Sequence, residues 1–344
     1  MESKKYLFNF SASYIGGGYK RVYEYVKYFN DIGGANFILH PNCLKLKEQF
    51  PLNTYFFIEQ TIFDRIFKDG KYLHDIIKRI EDIQFYYSYS IPIYTKVAKV
   101  NWYHISNILP LVSFKYPLNL IDHLKMFLIG VRIKKYFYNA DIISAESIYT
   151  LSLVNEKHKS KLFLSVNGGD DEIYNSKNLY LSNKLNLAVI IGTYKYKAIK
   201  DSYNIFIKLK NDNPYLKLII IGNEKYLPKF LFNRTDIIIK GLLTRENVFQ
   251  ILSTARYYIS TTLIENSYNA ASEGIFFADE SYISDIPPHR ELLENIKFEN
   301  VKFENSQRNF LFVNRKSCST NNLKLWKSVI EDMIQKIENK IQSK

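Results

Sequence analysis

Cysteine is nearly absent: the 344 residues include only Cys43 and Cys318, far apart and with no CxxC pair or histidine cluster beside them. That excludes a disulfide scaffold and a cysteine-built metal site, and it suits a reducing compartment. Long apolar runs are missing as well. No stretch reaches the ~18 apolar residues of a membrane-crossing helix, and the opening MESKKYLFNFSAS has neither an apolar signal core nor a small-residue cleavage site. The expectation is a cytoplasmic protein, at most peripheral to a membrane. Also lacking is any dense Lys/Arg stripe interleaved with aromatics, which argues against nucleic acid as a partner.

The sequence is nonetheless basic, with a net charge of +13, distributed as +5 over residues 1–175 and +8 over the remainder. An excess spread over both halves points to a membrane surface or a phosphate-bearing small molecule. With 47% hydrophobic and 24% charged residues the composition is that of a folded globular protein. The length favours two domains. Tyr (28) and Phe (24) are abundant, as an AT-rich gene would also produce, so single tyrosines carry little information.

The first 40 residues read as strand (KYLFNF), glycine loop (SASYIGGG), helix with Val22, Val26 and Phe29 on one face, and strand (ANFILH), with Gly33-Gly34 closing the helix. This βαβ opening predicts a parallel sheet with ligands at the carboxyl ends of its strands. Residues 45–100 mix short apolar runs with charged helical stretches and resist parsing. NLIDHLKMFLIGVRIKKYF places Leu120, Leu124, Phe127, Leu128 and Val131 on one helical face, with Lys125, Arg132, Lys134 and Lys135 on or beside the other. That face either covers a sheet or lies on a membrane surface. After a polar stretch near 175–186, a second series of apolar strands and amphipathic helices begins, predicting another parallel sheet. The final LWKSVIEDMIQKIENKIQ is amphipathic, with Leu325, Val329, Met333 and Ile337 on one side.

Within the second series, IENSYNAASEG follows the strand YYIST and enters a helix. Glu265 and Glu273 are its only charges. Acids suit the first turn of a helix in any fold.

Taken together, the glycine loop, NGGDDE before the linker, and E-x7-E after a second-half strand resemble the retaining family 4 glycosyltransferases. The resemblance runs nearly end to end and is weakest over residues 45–100. It implies an α/β GT-B fold, two Rossmann-like domains with parallel sheets facing a central cleft. The boundaries implied are 1–175 for an acceptor-side domain, 176–186 for a linker, 187–321 for a nucleotide-sugar domain, and 322–344 for a helix returning toward the first domain. Gly16, Gly17 and Gly18 then face the donor diphosphate through bare amides. His104 contacts the transferred sugar as a second catalytic residue, and Asn107 lies on the acceptor side. Asn167, Gly168 and Asp170 shape the hinge.

In the second domain the resemblance places Lys200 on the diphosphate. Thr193 stands where the family carries an Arg, a departure that Lys195 or Lys197 would offset. Gly222 and Asn223 form a strand-end turn, and the backbone from Lys240 to Leu242 receives the base. Glu265 holds the donor sugar, the amides of Ser267, Tyr268 and Asn269 hold phosphate, and Glu273 holds the ribose hydroxyls. Carboxylates accept hydrogen bonds from vicinal diols, and charge among the intervening amides would repel the diphosphate.

The implied activity is transfer of a sugar, with retention, from a nucleoside diphosphate sugar to a saccharide or polyprenyl-diphosphate-linked acceptor in bacterial surface polysaccharide synthesis, O-antigen or capsule. No cofactor and no metal is implied, and no DxD-type pair is placed to bridge a metal and a diphosphate. Two alternatives share the fold: a nucleotide-sugar epimerase, and a non-catalytic module that binds nucleotide or glycan.

Overall fold

A computed structural model describes residues 5–68, 70–169, 184–294, 296–317 and 324–343. The expected hinge residue Asp170, most of the expected linker and Cys318 lie outside this range. The chain divides into two units, one of Met1–Phe114, Asn119–Gly169 and Lys324–Lys344, the other of Lys115–Leu118 and Asp170–Leu323.

The first unit contains strands β1 (Tyr6–Asn9), β2 (Asn36–Leu39), β3 (Thr54–Phe57), β4 (Phe85–Tyr89), β5 (Val100–Ile105), β6 (Ile142–Ala145) and β7 (Leu162–Leu164). They form one sheet in the order β3-β2-β1-β4-β5-β6-β7, with every pairing parallel. Its helices are α1 (Gly16–Asp31), α2 (Lys45–Gln49), α3 (Ile62–Phe67), α4 (Lys71–Ile77), α5 (Leu109–Val112), α6 (Leu120–Tyr136) and α7 (Ile148–Ser152). Because parallel strands are buried on both faces, alternate residues of one strand feed two cores. Tyr6 and Phe8 pack under α1 with Val22, Tyr25, Val26 and Phe29, while Leu7 joins Ile66, Leu73, Ile76, Ile129 and Ile133 on the opposite face.

The second unit contains β8 (Leu185–Ile191), β9 (Lys217–Ile221), β10 (Ile237–Ile239), β11 (Ala255–Ser260), β12 (Glu280–Ser284), β13 (Glu299–Lys302) and β14 (Asn309–Asn314), in the order β10-β9-β8-β11-β12-β14-β13. Strands β8 to β12 pair in parallel and the last two antiparallel. Its helices are α8 (Ile199–Asp212), α9 (Arg245–Thr254), α10 (Asn269–Phe277) and α11 (Pro287–Leu293); α12 (Trp326–Gln342) follows. β8 starts at Leu185, inside the stretch expected as linker.

Helix α12 belongs with the first unit: Trp326, Val329, Ile330, Met333 and Ile337 are buried in the same core as Tyr6, Phe8 and Phe29. Leu325, expected on that face, precedes the helix and is 42% exposed; Trp326 fills the position instead. Gly168 lets this happen, because a Cβ there would come within 2.6 Å of the Trp326 backbone.

Helix α6 carries apolar residues on two faces. Ile129, Ile133 and Tyr136 are buried against the sheet, whereas Leu120, Leu124, Phe127 and Val131, on the opposite side by helical spacing, are 85%, 58%, 44% and 47% exposed. The stripe conspicuous in the sequence is thus the outward one. The face that covers the sheet is shorter and interrupted by Gly130, whose missing Cβ admits the Pro110 carbonyl.

Met333→Ala should lower stability by roughly 2–5 kcal/mol, since it opens a cavity in a fully enclosed site. Denaturant unfolding followed by aromatic fluorescence of the first unit measures this.

Candidate functional site

In a doubly wound sheet, the crevice for ligand lies where the strand order reverses, at the carboxyl ends of the two central strands. In the second unit these are β8 and β11, and the loops leaving them, residues 192–198 and 261–268, are bound tightly to each other. The Thr261 hydroxyl lies 3.0 and 2.9 Å from the carbonyl oxygens of Lys197 and Ala198 and 2.6 Å from the Ser202 hydroxyl. The Leu263 amide donates to the Tyr196 carbonyl at 2.7 Å. Arg308 donates to the Thr261 carbonyl at 2.9 Å and pairs with Asp201 in α8. This bracing holds Ala198 in the left-handed region, φ +48°, which costs about 1 kcal/mol or more for a residue with a Cβ.

Lys197 precedes that strained residue, and its Nζ pairs with a Glu265 carboxylate oxygen. Lys197 and Glu265 are 14% and 23% exposed, so the pair is sheltered yet reachable. The expected cation Lys200 lies in the first turn of α8, exposed and, among the described residues, without a side-chain hydrogen bond or ion pair. Lys195, the other substitute considered, is exposed too. Thr193 is buried and spends its hydroxyl on the Asn223 carbonyl, 2.8 Å away, closing β8 against the Gly222-Asn223 turn. No contact of the kind an Arg would supply can come from it.

Past Glu265, Ser267 and Tyr268 lead into α10, and Tyr268 as the N-cap residue makes no side-chain capping bond. The first helical bond runs from the Ser272 amide to the Tyr268 carbonyl at 2.8 Å. The amides of Asn269, Ala270 and Ala271 therefore have no acceptor within the helix, and Asn269 and Ala270 are only half-buried. Such an end attracts anions. Gly274 seats α10 directly on Tyr258 of β11, since a Cβ there would fall 2.1 Å from the tyrosine ring.

Glu273, one turn into α10, meets Arg245 at 2.7 Å. Arg245 opens α9, immediately after the exposed Leu242 turn, with its guanidinium 4.8 Å from the Phe249 ring centroid. The sequence reading missed Arg245. A signal existed, because a cation at the first position of a helix opposes the helix dipole and needs a carboxylate partner. His289 of α11 was missed as well. It is buried, its Nδ1 lies 2.8 Å from the Ser284 carbonyl, and burial holds its pKa below the usual 6.5.

In the first unit, Gly16 to Gly18 form the first turn of α1 rather than a loop before it, and the N-cap, Ile15, makes no side-chain bond. His104, near the end of β5, has no exposed surface. Its Nδ1 is 2.7 Å from the Ser144 hydroxyl and its Nε2 is 3.5 Å from Glu146. Burial, and secondarily the Arg21 charge, lowers its pKa from 6.5 to about 4, so the ring is neutral near pH 7. Glu146 also accepts from Tyr89 at 3.1 Å; burial acts to raise its pKa, but the close His104 ring and the Arg21 charge prevail and lower it. Arg21, fully buried in α1, donates to the carbonyls of Ser165 and Val166 at 2.9 and 3.0 Å and to Asn167. Asn107 is exposed and caps the Leu109 amide at 3.0 Å. Among the described residues no group of three or more His, Cys, Asp or Glu is placed to hold a metal ion.

No protein-family model matches the sequence, and no curated protein sequence matches it. Solved structures do match the fold. A glycosyltransferase from Rickettsia africae ESF-5 superposes with a TM-score of 0.61 at 14% identity, over 86% of this chain and 83% of its own. WaaG, a glycosyltransferase involved in lipopolysaccharide biosynthesis, gives 0.60 at 11% identity, over 84% of each chain. Anabaena Alr3699/HepE in complex with UDP and glucose gives 0.54 at 14% identity, over 78% and 77%. The fold is GT-B. Each unit treats its strand-end charges differently: the second presents half-exposed charges and amides, and the first encloses Arg21, His104 and Glu146.

His104 generates a prediction. Its folded pKa lies below its unfolded value, so the unfolded chain takes up a proton first as pH falls; stability is full above about 6.5 and is lost progressively toward about 4. His104→Asn should flatten that part of the stability–pH curve, measured by thermal unfolding between pH 7 and 4.

Proposed function

We propose that the chain is a retaining glycosyltransferase that moves a sugar from a nucleoside diphosphate sugar to a saccharide or lipid-linked saccharide. One observation carries this reading. Glu265 and Glu273, each held by a cation, flank a helix N-terminus with unfilled amides, at the point of the second sheet where a doubly wound fold takes its ligand. In this reading Glu273, steadied by Arg245, accepts from the ribose hydroxyls, and the Leu242 turn faces the base. The amides from Ser267 to Asn269 and onward receive phosphate. Glu265 accepts from the sugar hydroxyls.

Lys197 takes the part first expected of Lys200. It sits beside the sugar-holding carboxylate, so an arriving diphosphate finds a cation within reach, and that cation offsets charge gathering on the leaving group. The bond from the anomeric carbon to the diphosphate oxygen breaks, the acceptor oxygen bonds to the same face, and the acceptor proton passes to the departing phosphate. His104, enclosed, enters as a residue positioning Glu146. Asn107, Gly17 and Gly18 remain on the acceptor and diphosphate side of the proposal.

The acceptor side of the reading is a lipid-linked saccharide at the inner face of a cell membrane, in surface polysaccharide assembly. Among the described residues no helix is long and apolar enough to cross a membrane. Support for peripheral attachment comes from the outward apolar face of α6, the exposed Phe63, Phe67 and Phe114 nearby in the same unit, and the +13 charge.

With a productive donor and acceptor, Glu265→Ala should cut turnover by about a hundredfold or more, and Lys197→Gln by about tenfold or more. Donors can be found by thermal shift across UDP, GDP and dTDP sugars. Undiminished transfer by Glu265→Ala would remove the site assignment, and rapid turnover of nucleotide sugar with no acceptor would indicate an epimerase.

Flotation with vesicles containing phosphatidylglycerol should carry the protein upward at low salt, and replacing both Leu124 and Phe127 with Gln should abolish this. Equal flotation of the double variant would show that α6 is not the contact.

A further inference from the structure

A cavity of about 180 Å³ lies in the first unit, between α3, α6 and the loops that follow β4 and β5. Its polar lining is Arg65, Lys125, Ser90, Asn107 and Tyr103, and its floor includes Ile129 and Ile133. The two cations are unusual because, among the described residues, no carboxylate balances either of them. Arg65 donates through Nη2 to the Ser90 carbonyl at 3.1 Å, but its Nε is buried with no hydrogen-bond partner, and no described carboxylate pairs with it. Lys125 is half-buried and makes no ion pair among the described residues. Nearby acids are otherwise engaged: Asp64 with Thr61 and Lys68, Asp122 with Asn119. Burying donors without acceptors and crowding like charges both cost free energy, and an anion in the cavity would recover that cost.

The surroundings specify what carries the anion. Ile62 lines the cavity and is also 40% exposed, one residue from Phe63, whose ring packs 4.8 Å from that of Phe67 on the outside of α3. Lys125 lies in α6 between Leu124 and Phe127 of the outward stripe. The polar cavity therefore adjoins the apolar surface at both helices. A free anion would use only the first feature, and an apolar chain only the second.

We infer that this cavity binds the phosphate head group of a membrane amphiphile, with the apolar chain leaving over α3 and α6. Arg65 supplies a planar fork to two phosphate oxygens, Lys125 a second charge, and Asn107 an amide donor. The identification of the amphiphile as the acceptor's lipid carrier rests on the transferase reading; the binding itself does not.

Isothermal titration of the full chain with farnesyl phosphate tests this, with inorganic phosphate and farnesol as its two halves. Farnesyl phosphate should bind about tenfold or more tightly than either half, and Arg65→Gln and Lys125→Gln should each weaken it by about tenfold or more, the loss of one charge-assisted contact. Arg65→Lys should restore part of the affinity. Thermal unfolding checks that each variant is folded, and Lys125→Gln, on a half-buried position, serves if Arg65→Gln is not. Unchanged affinity in the folded variants overturns the site, and inorganic phosphate binding as tightly as farnesyl phosphate overturns the amphiphile. Glu265→Gln, in the other unit, should leave farnesyl phosphate affinity intact. A chain that binds farnesyl phosphate as expected but transfers no sugar would retain this site and lose the proposed function.

Discussion

Two parallel strands cannot be joined by a tight turn; the chain must return across a face of the sheet before the next strand begins. Both sheets here obey that constraint over most of their width, and the rest of the architecture depends on it. The returning helices cover both faces, so each strand must be apolar on both sides, and the loops that remain uncovered collect at the strand ends. In the second unit the loops after β8 and β11 emerge side by side, and Thr261 and Arg308 fasten them into one body. Glu265 and Lys197 meet because of this, although 67 residues separate them in sequence.

The two units treat charge oppositely. In the second, ion pairs sit at partial exposure, where a partner can be exchanged for a ligand at modest cost. In the first, Arg21, Glu146 and His104 are enclosed, and each donor of Arg21 is spent on carbonyls, hydroxyls or the Asn167 amide. A buried cation of this kind cannot be traded; removing its partners would strand it. It ties α1 to the segment following β7, fixing the backbone around Asn167 where the sequence had suggested a hinge.

Much of this was legible in the sequence because it follows from local pattern. The alternation of apolar strands with amphipathic helices announced two parallel sheets, and the uncharged interval between Glu265 and Glu273 announced a helix end kept clear of acids. What escaped depended on distance in space. Lys197 and Lys200 are indistinguishable as letters, and only the bracing by Thr261 brings the first beside Glu265. Thr193 looked like a lost phosphate contact, and its actual partner, the Asn223 carbonyl, is 30 residues away. The tyrosines discounted as a compositional bias turn out to fill the first core alongside the phenylalanines, where Phe8 alone packs within 6 Å of Tyr25, Phe29, Phe37, Phe85 and Tyr87. Residues 45–100 were opaque because α2, α3 and α4 are each seven residues or shorter, too brief to establish a period.

The return of α12 to the first unit bears on how the protein is made. Met333 and Ile337 complete a core whose other members, Tyr6 and Phe8, leave the ribosome some 300 residues earlier. During synthesis the first sheet must therefore wait, with one apolar face incompletely covered, until the entire second unit has emerged. The order of translation and the order of core closure thus run in opposite directions, a topology that leaves apolar surface exposed until the chain's last helix is available.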